Sequence, residues 1–293
     1  MTRILHLVLL AAACPHAPAV ERTVLLVAGQ SNVLNWHADA AALPLAPADA
    51  AIAFYFHTGA PPSKAGQMPT PFNATSAGAW TTLRAQRQEP YVRYAREFFG
   101  PEISLGRTLL DAGVQPLGII KVGYFGSSLA EDWRPDATAG NRLYALLLAQ
   151  VHRAFDTLAA RGESARLAGI FWLQGETDGA RLDSATAYEA NLRTFLARLR
   201  QDLAYAVPGS GSLPVVLGRV GPPPAKGYPH QDLVRTAQVR VAESLPATTW
   251  VDTDDLPRDT DGVHLLAPGV LSLGQRWAAA WQRLRASSAT KPH

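Results

Sequence analysis

Five largely apolar runs alternate along the chain with longer stretches in which apolar positions recur every three to four residues. The runs at 23–28, 116–122, 167–173, 213–220 and 248–252 predict strands, and their lack of polar alternation predicts burial on both faces. Helical spacing predicts helices over 102–112, 141–161, 183–205, 231–244 and 269–286. In the clearest of these, Tyr188, Leu192, Phe195, Leu196, Leu199 and Leu203 fall on one face with arginines between them, and Asp183 is placed to cap the start. Gly100-Pro101-Glu102 fits a helix opening, with proline early and an acid at the positive end of the dipole.

Strands alternating with helices predict a parallel sheet of about five strands covered on both faces, in one domain without internal repeats. Residues 34–100 carry no strong period, and include His37, His57, Pro61-Pro62, Pro69, Pro71 and Trp80. A segment of that length is expected to be an insertion forming one wall of a cleft. The shorter stretch from Gly221 to His230 is expected to form another, because loops after parallel strands gather at one rim.

Three polar segments sit at or near that rim. Gly29-Gln30-Ser31-Asn32 follows the first strand directly. There a glycine permits a sharp turn that exposes the Ser31 hydroxyl and N–H together, as a nucleophile requires, although a serine capping a helix is the simpler reading of the tetrapeptide alone. Gln174-Gly175-Glu176-Thr177-Asp178 ends the strand that carries Trp172. Polar groups are costly to bury there unless they line a site. The Gln174 amide can donate to an oxyanion, and Glu176 can support an imidazole or meet a sugar hydroxyl. Asp261-Gly-Val-His264 offers a general base and a carboxylate able to fix its tautomer from one loop.

Together with Pro116–Leu129, which contains Gly123 and Gly126 and precedes Trp133, these segments stand in the order of the four conserved blocks of a known group. The chain resembles the SGNH hydrolase superfamily over roughly residues 23–286. Within it the likeness is to the carbohydrate-esterase branch containing sialate O-acetylesterases and acetyl-xylan esterases. The resemblance implies a three-layer, flavodoxin-like α/β fold. It implies Ser31 as nucleophile, His264 as base, and Asp261 as the orienting acid, with Glu176 competing for that last role. The oxyanion donors it implies are the Ser31 N–H, the Gly126 N–H and the Gln174 side chain, with Gln30 and Asn32 in support. Phe125 stands where the family often has a second glycine, which leaves the register of the donor there open, and Val33 stands where it often has methionine.

Composition narrows the partners. Net charge is +3 and the 27 lysines and arginines are dispersed, so Arg193, Arg198 and Arg200 are read as a solvated helix face and nucleic acid is not expected. Met1–Ala13 followed by Ala17-Pro18-Ala19 reads as an export leader, residues 1–19, ahead of an esterase domain at 20–293. Cleavage after Ala19 removes Cys14, the single cysteine, and predicts a secreted or periplasmic protein. Lipid attachment at Cys14 is the less favoured alternative. No further segment is apolar enough to span a membrane. Asp252, Asp254, Asp255, Asp259 and Asp261 lack the spacing of a calcium loop and are read as capping and turn residues. His37, His57 and His230 are too scattered to predict a metal site, and His152 is read as structural. Asn73-Ala-Thr75 is a weak glycosylation match. Trp133 is read as packing, with Trp36 and Trp80 open between packing and sugar stacking. The expected activity is serine-dependent removal of O-acetyl groups from a carbohydrate through an acetyl-enzyme, without metal or organic cofactor. The alternatives are a non-catalytic carbohydrate-binding protein on the same fold and a short-chain lipid or aryl esterase.

Overall fold

The computed structural model describes residues 21–61, 74–87, 97–207, 212–223 and 227–289. The leader with Cys14, the Asn73 acceptor and Pro69 and Pro71 lie outside them. The strands are β1 (Arg22–Gly29), β2 (Ile52–Gly59), β3 (Ala74–Thr75), β4 (Thr81–Thr82), β5 (Gln86–Arg87), β6 (Glu97–Phe98), β7 (Leu117–Tyr124), β8 (Ala165–Leu173), β9 (Val215–Gly218) and β10 (Thr248–Val251). The main sheet has the order β10-β9-β8-β1-β7-β2-β3, with β4 also on β2. Neighbours from β10 through β2 are parallel, whereas β3 and β4 run antiparallel to β2 at the edge.

The sheet is therefore wider than the apolar runs predict. β2 lies inside the stretch expected to be a cleft-wall insertion. Its apolar residues run without a break from Ile52 to Phe56 before His57, Thr58 and Gly59, but the run stands inside a stretch that otherwise carries no strong period, which masks it as a strand. The fold accommodates its polar member, since the Thr58 hydroxyl donates to the Ala74 carbonyl at 3.0 Å.

Among the described residues six α-helices accompany the sheet: α1 (Ser31–Leu34), α2 (Glu102–Asp111), α3 (Leu143–Ala159), α4 (Leu182–Asp202), α5 (Gln231–Ser244) and α6 (Ala267–Ala289). The apolar faces of α3, α4 and α5 cover one side of the sheet, where Trp133 and Trp172 meet edge to face at 5.2 Å. α2 and α6 cover the other side, where Trp281 donates to the Ala168 carbonyl at 2.8 Å. This is the three-layer α/β arrangement implied by the resemblance. α4 begins at Leu182, so Asp183 lies in the first turn instead of at the cap and accepts the Ser184 N–H. Of its arginines, Arg193 and Arg198 pair along the helix with Glu189 and Asp202, whereas Arg200 reaches the Leu213 carbonyl. No helix among the described residues is long and apolar enough to cross a membrane.

β1 occupies the middle of the sheet, with β8 on one side and β7 on the other, and is buried along almost its whole length. Chain connections diverge to either side of it, which opens a crevice beyond its C-terminal end. Below that crevice Lys121 is fully buried on β7 and donates to Glu102 at 2.9 Å and Gln86 at 2.6 Å. Burial pulls its pKa down while Glu102 opposes the shift. The ammonium also approaches the Leu34 carbonyl at 3.5 Å, so this buried pair braces the underside of α1.

Candidate active site

The crevice is shaped first by Gly29, whose φ of +148° suits glycine; a Cβ there would stand 1.9 Å from the Leu173 carbonyl oxygen. The chain turns at once, Gln30 N–H donates to that same carbonyl at 2.9 Å, and Ser31 opens α1. His264, 233 residues later, arrives on the loop before α6 and places Nε2 3.1 Å from Ser31 Oγ. Its Nδ1 lies 2.6 Å from Asp261 Oδ2. The other Asp261 oxygen accepts the Val263 and His264 N–H groups at 2.8 and 2.9 Å, which holds the carboxylate still. The Asp261 bond assigns the ring proton to Nδ1, leaving Nε2 to accept from the serine hydroxyl. Burial lowers the His264 pKa against the opposing pull of Asp261. Burial works to raise the Asp261 pKa, but its hydrogen bonds from His264 and Val263 prevail and hold it below the usual carboxylate value.

Asn32 joins the two halves of this arrangement. Its Nδ2 donates to the Val263 carbonyl at 3.1 Å and its Oδ1 accepts the Leu265 N–H at 2.9 Å, so it grips the backbone on both sides of His264. The same Nδ2 donates to Glu176 Oε1 at 2.8 Å. Glu176 is buried behind Asn32, and burial raises its pKa. Gln30 Oε1 accepts the Gly175 N–H at 3.0 Å and ties the serine turn to the end of β8. Ser31, His264, Asp261, Gln30, Asn32 and Glu176 are thus brought together.

Gln174 departs from its expected role. Its amide nitrogen donates to the Ser127 carbonyl at 3.0 Å and to Asp178 Oδ2 at 2.6 Å, which occupies both N–H groups. An amide turned wholly into these bonds has no donor left for an oxyanion. Asp178 is the organiser of this corner. Its carboxylate accepts the Leu129 and Ala130 N–H groups at 2.8 and 2.9 Å as well as the Gln174 amide, while burial pushes its pKa up to about 6. It thereby fixes the turn after β7 in which Gly126 adopts a φ of 57°. Register places that turn at the serine's edge of the sheet, because Gly29 pairs with Gly123. Trp133 Nε1 donates to Ser127 Oγ at 2.8 Å. Trp36, Trp80 and Trp133 are all buried and serve packing.

The family model of carbohydrate esterases described as sialic acid-specific acetylesterases matches residues 21–283. The chain belongs to this family. It is accordingly a carboxylic ester hydrolase. A protein of Arabidopsis thaliana shares 18% identity with this esterase at a TM-score of 0.63, covering 91% of this chain and 99% of that one. NanS shares 15% identity at a TM-score of 0.61, covering 93% and 100%. A carbohydrate acetylesterase from Xanthomonas citri shares 20% identity at a TM-score of 0.58, covering 90% of this chain and 57% of that one. These likenesses support the fold. No curated protein matches the sequence.

The esterase site contains a second imidazole that the sequence pattern did not reveal. His37, read as one of several scattered histidines, stacks on His264 with ring centroids 4.4 Å apart and planes 4° from parallel. Its Nδ1 lies 2.7 Å from Asp259 Oδ2. No local signal marks such a pair, since it depends on the loop before α6 folding over the end of α1. His37, Asp261 and His264 bring potential ligand atoms within 4.8 Å of one another, yet both His264 ring nitrogens are engaged by Asp261 and Ser31. In the rest of the acidic stretch the expected turn role holds at Asp252, whose Oδ1 accepts the Asp254 N–H at 3.0 Å, and arginines pair with the carboxylates as well: Arg219 meets Asp252 and Asp254, Arg235 meets Asp254, and Arg276 meets Asp255.

Proposed function

We propose that this esterase removes O-acetyl groups from a carbohydrate through an acetyl-enzyme on Ser31. The observation that carries the reading is the unbroken hydrogen-bonded series Ser31–His264–Asp261 at the end of the central strand. Ser31 Oγ attacks the acetyl carbonyl carbon while its proton passes to His264 Nε2, and Asp261 stabilises the imidazolium. The negative charge on the carbonyl oxygen is met by the Ser31 and Gly126 N–H groups. Collapse of the tetrahedral adduct breaks the bond to the sugar oxygen, which takes the proton from His264. Water then adds to the acetyl carbon with His264 again as base, releasing acetate and restoring Ser31.

Asp261, and not Glu176, serves as the acid in this scheme, because it meets the imidazole directly while Glu176 meets only Asn32. Gln174 serves to position the turn after β7. The leader sequence supports a secreted or periplasmic enzyme. Acetate release from a panel of O-acetylated sialic acids, xylan and other acetylated polysaccharides tests the reading. Release from at least one of them by the wild type, abolished in Ser31→Ala, is expected. Binding of such glycans without acetate release would favour a carbohydrate-binding protein, and equal or better hydrolysis of octanoyl esters would favour a lipid esterase.

A further inference from the structure

We propose that His37, anchored by Asp259 and lying face to face with His264, is a positioning residue for the base, holding the plane of its ring and setting the surroundings in which it accepts a proton. The inference rests on the role proposed above for His264. The two imidazole–carboxylate pairs are built on one turn. Asp259 and Asp261 are two residues apart, and the Asp259 N–H donates to the His264 carbonyl at 2.8 Å, so the carboxylate that holds His37 is itself fixed to the backbone of its neighbour. Asp259 Oδ1 accepts the Thr260 N–H at 2.6 Å, which further restrains it.

Hydrogen bonds at Nδ1 and Nε2 restrain His264 within its plane but leave it free to tilt about the line joining them. A parallel ring at 4.4 Å blocks that tilt on one side. His37 comes from the segment that follows α1, so the polypeptide that presents the serine also presents the plate against the base. Among the described residues, Asp261 meets the edge of His264, Asp259 meets His37, Glu176 reaches the loop through Asn32, Arg258 and Tyr228 interact electrostatically with Glu176, and Tyr228 does so with Asp261 as well. When His37 carries a proton, its charge acts at close range on His264, adding to burial and opposing the two aspartates. Removing that charge makes His264 easier to protonate, and an esterase that needs the neutral ring then loses activity at a higher pH.

The test uses His37→Phe, which keeps a planar ring, and His37→Gln, which keeps a polar group beside Asp259. Two readouts are followed in each: the His264 titration by imidazole NMR, and the pH profile of kcat/KM on p-nitrophenyl acetate, an uncharged substrate. In both variants the His264 midpoint is expected to rise by roughly half a pH unit or more, with the acidic limb of kcat/KM moving up alongside it. Unmoved midpoints would overturn the inference, whether turnover is unchanged or uniformly reduced. If the NMR midpoint rises in the variants but wild-type protein cleaves no ester, the coupling stands and the proposed function fails, so the two failures are distinct.

Discussion

Asn32 Oδ1 accepts the Leu265 N–H at 2.9 Å, which ties the residue after the proposed nucleophile to the residue after the proposed base. A site assembled from two distant segments needs such a fastening, because a displacement of about 1 Å between nucleophile and base costs on the order of a hundredfold in rate. Asn32→Ala strands the buried Leu265 N–H and Glu176 Oε1. The expected result is a loss of about 2–4 kcal/mol of stability by urea denaturation, with kcat reduced tenfold or more and KM for small acetate esters little changed. A kcat within twofold of wild type would show that the serine and histidine loops hold each other without it.

The two carboxylates compared for the acid role give opposite expectations. Asp261→Asn removes the acceptor that fixes the His264 tautomer, and kcat should fall on the order of a thousandfold or more. Glu176→Gln can keep the bond from Asn32 through its carbonyl oxygen, and it removes a carboxyl group whose ionisation burial already disfavours. It should retain most of the turnover, with thermal stability unchanged or raised. Parallel kinetics on the two variants decide the assignment.

Activity should persist into mildly acidic solution. Burial lowers the His264 pKa, so the neutral ring survives below the ordinary histidine value of about 6.5. The acidic limb of kcat/KM should accordingly have its midpoint beneath that value. The sign carries over to folding. A histidine whose folded pKa is depressed adds stability above its unfolded pKa, and that stability is lost as the pH falls through the folded value. A limb centred above pH 7, measured on an uncharged acetate ester, would contradict this account of the base.

Asp178→Asn probes the support beneath the turn proposed to meet the oxyanion. An asparagine keeps one acceptor oxygen but sets an amide N–H against a group that now donates to it, from among Leu129, Ala130 and Gln174. A loss of about 1–3 kcal/mol is expected from the unmatched buried donors, with a fall in kcat as the Gly126 turn relaxes. The pH dependence should change as well. In the wild type the raised Asp178 pKa means that the folded state holds its proton up to about 6, and the stability this contributes is lost as the pH rises through that value. The variant should lack that component when melting temperature is followed from pH 4 to 8.

The parts of this protein legible in its sequence were those where local pattern and final burial coincide. β1 and β8 are enclosed on both faces along most of their length, so their buried residues are nearly all apolar, and the polar clusters at their ends stand out against them. The turn at Gly29 and the short spacing of Asp261 and His264 marked chemistry because each is resolved within a few residues. β2 was not legible, since its short apolar run Ile52–Phe56 ends in His57, Thr58 and Gly59 and is set in a stretch without other periodic signal. The orientation of Gln174 was not legible either. Which way an amide points is decided by the Ser127 carbonyl and Asp178, partners that tertiary structure supplies. His37 was hidden most completely, because a ring stacking contact leaves no spacing rule along the chain.

The central claim is that the Ser31 hydroxyl is made nucleophilic by His264. The direct measurement is labelling with a fluorophosphonate followed by peptide mapping, in the wild type and in His264→Ala. One adduct per chain on Ser31, formed at a rate that collapses in His264→Ala and with loss of esterase activity in proportion to labelling, is the predicted result. Modification elsewhere in a protein that keeps its turnover, or equal labelling rates with and without the imidazole, would contradict it.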